Sequence, residues 1–104
     1  MIQLIKHLLG IAPKTDYKEL LKNNATIVDV RTKNEYQGGH IKGSINIPLD
    51  TLSSQLAKLK KDKVIITCCA SGMRSASAKS ILNSKGYPAV YNGGGWVSLQ
   101  KQIS

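Results

Sequence analysis

Apolar positions in this chain come in short, separate runs that alternate between two periods. Ala25–Val30 (ATIVDV) and Val64–Cys68 (VIITC) are brief and rich in β-branched residues, the pattern of strands buried on both faces. Ile45–Ile47, closed by Pro48, and Ala89–Tyr91 read as two shorter strands. The segments between them carry helical signals. Asp16 and Glu19 have capping-box spacing around a helix over Tyr17–Lys22, and Thr32 and Glu35 repeat that spacing before a single turn stopped by Gly38 and Gly39. Asp50 caps a helix with Leu52, Leu56 and Leu59 on one face, at i, i+4 and i+7. After Arg74, Ala78, Ile81 and Leu82 form an apolar stripe that ends in Gly86 and Pro88. A final helix starts near Trp96, and Gly93, Gly94 and Gly95 make a close turn before it. Strands that alternate with helices predict an α/β fold with a parallel sheet between helices. Sites in such a sheet form at the carboxyl ends of the strands.

Length and charge narrow this picture. At 104 residues the chain makes one domain, and no apolar run approaches the roughly 20 residues of a membrane span. Two adjacent cysteines, Cys68 and Cys69, cannot staple distant segments, which excludes a small disulfide scaffold. With only these two cysteines and two histidines at non-ligand spacing, no metal site is expected, and no cofactor-binding loop is present. The net charge of +9 is unevenly placed: all the carboxylates precede Lys63, so the cysteine half is purely cationic. Lys58, Lys60, Lys61 and Lys63 cluster without interleaved aromatics, which does not fit nucleic-acid binding. Only Arg31 and Arg74 break an otherwise all-lysine set of cations, a sign that a planar guanidinium is needed at those two places. At the N-terminus, Lys6 and His7 interrupt what would be a signal-peptide core. Residues 1–14 read as an extension with a short amphipathic helix (Ile2, Ile5, Leu8, Leu9), and a cytoplasmic protein is expected.

The chemistry converges on Cys69. It stands at the end of the strongest strand, and Cys-Ala-Ser-Gly-Met-Arg leads from it into a helix. A tight loop containing Gly72 turns successive N–H groups inward as an anion nest, the helix start adds partial positive charge, and Arg74 adds a full one. All three favour a nucleophilic thiolate. Cys68, one residue earlier, points to the other face and reads as a small buried side chain.

Four segments, IVDVR (27 to 31), EYQGGHIKGSINIP (35 to 48), VIITCCASGMRS (64 to 75) and VYNGGGWVSL (90 to 99), resemble those of single-domain rhodaneses, the thiosulfate sulfurtransferase-like family, in the same order. The resemblance implies a rhodanese-like domain over 15–104, with a mostly parallel central sheet and helices on both faces. It implies that Cys69 takes a sulfane sulfur as a persulfide and passes it to a thiophilic acceptor. Ala70, Ser71, Gly72, Met73 and Arg74 would form the substrate cradle. Cyanide, a thiol, thioredoxin or another protein would accept the sulfur. Ala70 stands where many thiosulfate-active relatives carry Arg or Lys, so thiosulfate and a thiol persulfide remain alternative donors.

Other readings use the same residues. Counted from Cys68 the loop is Cys-x5-Arg, the spacing of cysteine-dependent phosphatases and arsenate reductases, although no carboxylate follows to serve as general acid. A Cys-His hydrolase would use His40, which reads instead as a hydrogen-bonded turn histidine. Asp29 and Arg31 form a fold-holding ion pair, and Arg31 is also a candidate partner for Glu35. Trp96 packs the last helix on the sheet. A non-catalytic binding module is the remaining class.

Overall fold

In a computed structural model, residues 14–104 are described. The amphipathic helix expected over Ile2–Leu9 lies outside them. The chain forms α1 (Tyr17–Lys22), β1 (Thr26–Asp29), α2 (Lys33–Gln37), β2 (Ile45–Asn46), β3 (Ile65–Cys69), α3 (Met73–Ser84), β4 (Val90–Gly95) and α4 (Trp96–Ile103). The four strands make one parallel sheet in the order β2-β1-β3-β4. Among the described residues no helix is long and apolar enough to cross a membrane.

Strand alternation divides the core into two layers. Val28, Val30, Ile65 and Cys69 face Leu52, Ala78 and Leu82 on one side of the sheet. Ile27, Ile66 and Cys68 face Leu99, with Tyr17, Leu20 and Trp96 packed around them, on the other. The two neighbouring cysteines therefore sit in different layers. Both capped helices form: the Asp16 side chain accepts from the Glu19 N–H, and Thr32 and Glu35 make the full reciprocal box.

Three expectations need correction. Leu49–Ser54 and Leu56–Lys58 are two 3-10 turns, with Pro48 rather than Asp50 at the cap position of the first. Thr51 and Ser54 donate to carbonyls three residues back, at 3.2 and 2.8 Å, which favours the tighter winding. Leu52 and Leu59 still reach the core, and Leu56 packs beside it. Strand β3 runs one residue further than expected, through Cys69. The third correction concerns the glycines, which do not form a turn but continue β4. A Cβ on Gly93 would lie 2.9 Å from Ile66, Leu99 and the Thr67 carbonyl, so only glycine lets β4 lie this close to β3 and α4. Pairing passes from Thr67↔Asn92 to Cys69↔Gly95, a bulge in β4 beside the carboxyl end of β3.

Candidate active site

The loop between β3 and α3 closes around one sulfur. Gly72, at φ +102°, takes a left-handed conformation that other residues adopt only at a cost. That turn aims its N–H at Cys69 Sγ, 3.0 Å away, and the first turn of α3 brings the Ser75 N–H to 3.4 Å. Ser75 Oγ is also 3.4 Å from the sulfur and accepts the thiol proton. Burial works against ionisation of Cys69, but the Ser75 hydroxyl and the N–H groups of Ser75, Gly72 and Ser71 outweigh it and hold the thiol below its ordinary value. Cys68 moves the opposite way. Burial, reinforced by the Asp29 carboxylate, pushes its thiol up to about 12, which leaves it protonated and inert.

A polar network, not legible from residue spacing, fixes this loop. Asn92 Oδ1 accepts from Ser75 Oγ at 2.6 Å and from the Gly94 N–H at 2.9 Å, while Nδ2 donates to the Gly72 carbonyl at 3.3 Å. The Gly94 N–H can only donate, which sets the orientation of the amide. Thr67 Oγ1 donates to the Ser75 carbonyl at 2.9 Å, and Tyr17 donates to the Asn92 carbonyl at 3.1 Å. Ser75 was visible beside Arg74 in the sequence. Asn92 gave no signal, because its role depends on the register of β4 against the loop.

Cys69, Gly72, Arg74 and the backbone of Ser71 are thus gathered at the carboxyl end of β3. Ala70 and Ser71 are exposed on the loop, and Met73 is 79% exposed at its rim. Arg74 does not stand free: its Nη1 and Nη2 donate to Glu35 Oε1 and Oε2 at 2.7 and 3.0 Å. The Arg74 hydrogen bonds and the Thr32 N–H hold the Glu35 carboxyl down at about 2. The Arg31–Glu35 carboxylate pair considered from sequence is not formed. Arg31 pairs with Asp29 at 2.8 Å and donates to the backbone carbonyls of Glu35 and Gly39, at 3.3 and 2.7 Å. Its guanidinium also lies 4.7 Å over the Trp96 ring. Arg31 therefore docks α2, and α2 presents Glu35 to Arg74. His40 stacks on Tyr36 and bonds its carbonyl at 2.8 Å, far in role from any nucleophile.

Comparison with known proteins agrees with this arrangement. The family model described as "Rhodanese-like domain" matches residues 13–102. The chain is 40% identical over 70 residues to the thiosulfate sulfurtransferase PspE of Escherichia coli, covering 65% of this chain and 67% of that one. It is 38% identical over 68 residues to YqhL of Bacillus subtilis, a protein without an assigned function, covering 65% of this chain and 54% of its relative's length. Among solved structures, the human single-domain sulfurtransferase TSTD1 superposes with a TM-score of 0.73 at 26% identity, covering 89% of this chain and 99% of that one. With the parallel sheet, the six-residue loop and these matches in hand, the chain belongs to the rhodanese-like domain family.

Proposed function

We propose that this protein is a sulfurtransferase that carries sulfane sulfur on Cys69. The observation that supports this most directly is the convergence of the Gly72 N–H and the Ser75 N–H on Cys69 Sγ, while Cys68 lies in the opposite layer. Such donors stabilise a thiolate before attack and a terminal persulfide sulfur after it. In the first half-reaction the thiolate attacks the outer sulfur of the donor. The S–S bond of the donor breaks, its electron pair leaves with sulfite or a thiolate, and a Cys69 persulfide results. In the second, an acceptor nucleophile such as cyanide, a thiol or thioredoxin takes the outer sulfur and the Cys69 thiolate leaves. The backbone of Ala70 to Arg74 serves as the cradle for the transferred sulfur.

The phosphatase or arsenate reductase reading starts the loop at Cys68, whose buried thiol ionises only near 12 and faces the α1–α4 layer. Steady-state assays separate the two. Thiocyanate formation from cyanide and a sulfur donor should vanish in Cys69→Ser and survive in Cys68→Ser. Hydrolysis of an aryl phosphate that depends on Cys68 would overturn the proposal.

A further inference from the structure

The cation that the loop offers to a substrate is already engaged. Arg74 gives both terminal nitrogens to Glu35, and Glu35 is anchored in turn, because its Oε1 accepts from the Thr32 N–H at 3.0 Å and the Thr32 hydroxyl at 3.1 Å. An anion that claims Arg74 must therefore displace a bidentate carboxylate seated in a helix cap. A second carboxylate stands nearby. Asp50 and Arg74 line the same cavity of about 250 Å³, together with Thr32 and the apolar wall of Val30, Pro48 and Leu49. Val30 and Leu49 pack in the layer that holds Cys69, which puts the cavity on the nucleophile's side of the sheet. Ala70 adds no cation, and the exposed neighbour at the rim is Met73.

Two opposite demands meet here. The N–H groups around Cys69 and the start of α3 suit one negative sulfur. In the cavity on the same side of the sheet, the Arg74 charge is matched by the bidentate Glu35, and Asp50 contributes a further carboxylate to the lining. A second anionic group on the donor therefore finds no free cation there and is repelled by Asp50. We propose, on the basis of the sulfur-transfer reading, that Glu35 and Asp50 select the donor by charge. The preferred donor is an organic persulfide whose carbon body carries no anionic group beside the transferred sulfur, and thiosulfate is disfavoured. The step balances: Cys69–S⁻ and R–S–SH give Cys69–S–SH and R–S⁻. The proton stays on the transferred sulfur, and the electron pair of the donor S–S bond departs with R–S⁻. Val30, Pro48 and Leu49 offer the carbon body an apolar wall.

The test compares sulfur loading of the full chain by thiosulfate and by 2-hydroxyethyl persulfide, generated in place from its disulfide and sulfide, which gives one persulfide and one thiolate. Rates are read by rapid quench and intact mass for wild type, Glu35→Gln and Asp50→Asn. Gln at position 35 preserves the cap, since a capping box accepts it, and Asp50 is an exposed residue of a 3-10 turn. Each variant should raise the thiosulfate-to-persulfide rate ratio by roughly three- to tenfold at low ionic strength, and molar salt should erase most of the gain. If Glu35→Gln slows both donors alike, Asp50→Asn decides: a raised ratio upholds charge selection and an unchanged one overturns it. Ratios within twofold of wild type in both variants overturn it as well. Should neither donor load Cys69 in the wild type, the sulfur-transfer reading itself falls, which is a separate result.

Discussion

Asn92 provides a sharp test of how the loop tunes its sulfur. Ser75 has a single hydroxyl proton, and with Cys69 as a thiol that proton goes to Asn92 Oδ1, 2.6 Å away. To stabilise the thiolate, the hydroxyl must turn and donate to Sγ, 3.4 Å away, so Asn92 and the sulfur compete for one proton. In Asn92→Ala the competitor is gone, and the Cys69 thiol should become more acidic. In Asn92→Asp a carboxylate holds the Ser75 proton more firmly and repels the thiolate, so the thiol should become less acidic. The structural cost of the alanine variant can be traced partner by partner. The Gly72 carbonyl keeps the Ala76 N–H at 3.1 Å, and Ser75 Oγ keeps the sulfur, but the half-buried Gly94 N–H loses its acceptor. One donor left unpaired costs about 1–3 kcal/mol, a fall in melting temperature of roughly 4–8 °C for each kcal/mol in a domain of this size. Thiolate absorbance against pH reads the first effect and thermal unfolding the second. Titration midpoints that do not move in opposite directions in the two variants would refute the competition.

Other substitutions probe the remaining parts of the site. Arg74→Lys keeps a charge but loses the planar fork, so sulfur transfer should fall by about tenfold or more while thermal stability changes little, as expected for a pair about one-third exposed. Equal kcat/KM in that variant would reduce Arg74 to a helix-start charge. Ala70→Arg adds a cation at a partly solvated position. It should lower the KM for thiosulfate roughly fivefold at low salt and less at high salt, and no change would show that charge at position 70 does not limit binding. Cys68 makes a pH-dependent contribution whose sign can be worked out. Its folded value, about 12, exceeds the ordinary 9.0, so its stabilisation is full below pH 9 and is lost as pH rises toward 12. Urea unfolding of wild type and Cys68→Ala should therefore differ by a constant below pH 9 and converge above it, and a pH-independent difference would contradict the assignment.

Much of the fold was legible because local signals and burial agreed. The β-branched runs of β1 and β3, the Thr32–Glu35 box and the Ala78–Leu82 stripe each found the element they predicted. The loop cysteine could be placed because strand alternation alone assigns Cys68 and Cys69 to different layers. What escaped was set by tertiary packing. Glu35 had Thr32 and Arg31 as local candidates, yet its carboxylate meets Arg74, 39 positions away. Asn92 acquires its partners only through the bulge that shifts β4 against β3. Gly93 and Gly95 resemble turn residues until β3, α4 and the Ala70 carbonyl are seen to crowd them. The leucine spacing after Asp50 predicted burial correctly but could not distinguish one α-helix from two 3-10 turns, because hydroxyl bonds from Thr51 and Ser54 decide the winding.

The central claim is that Cys69, alone of the two cysteines, carries sulfur. Intact mass of the protein after incubation with thiosulfate or an organic persulfide, followed by peptide mapping, tests it most directly. The account predicts one added sulfur on Cys69, removed by cyanide, retained in Cys68→Ser and absent in Cys69→Ser. Sulfur found on Cys68, or no added mass with either donor, would contradict it.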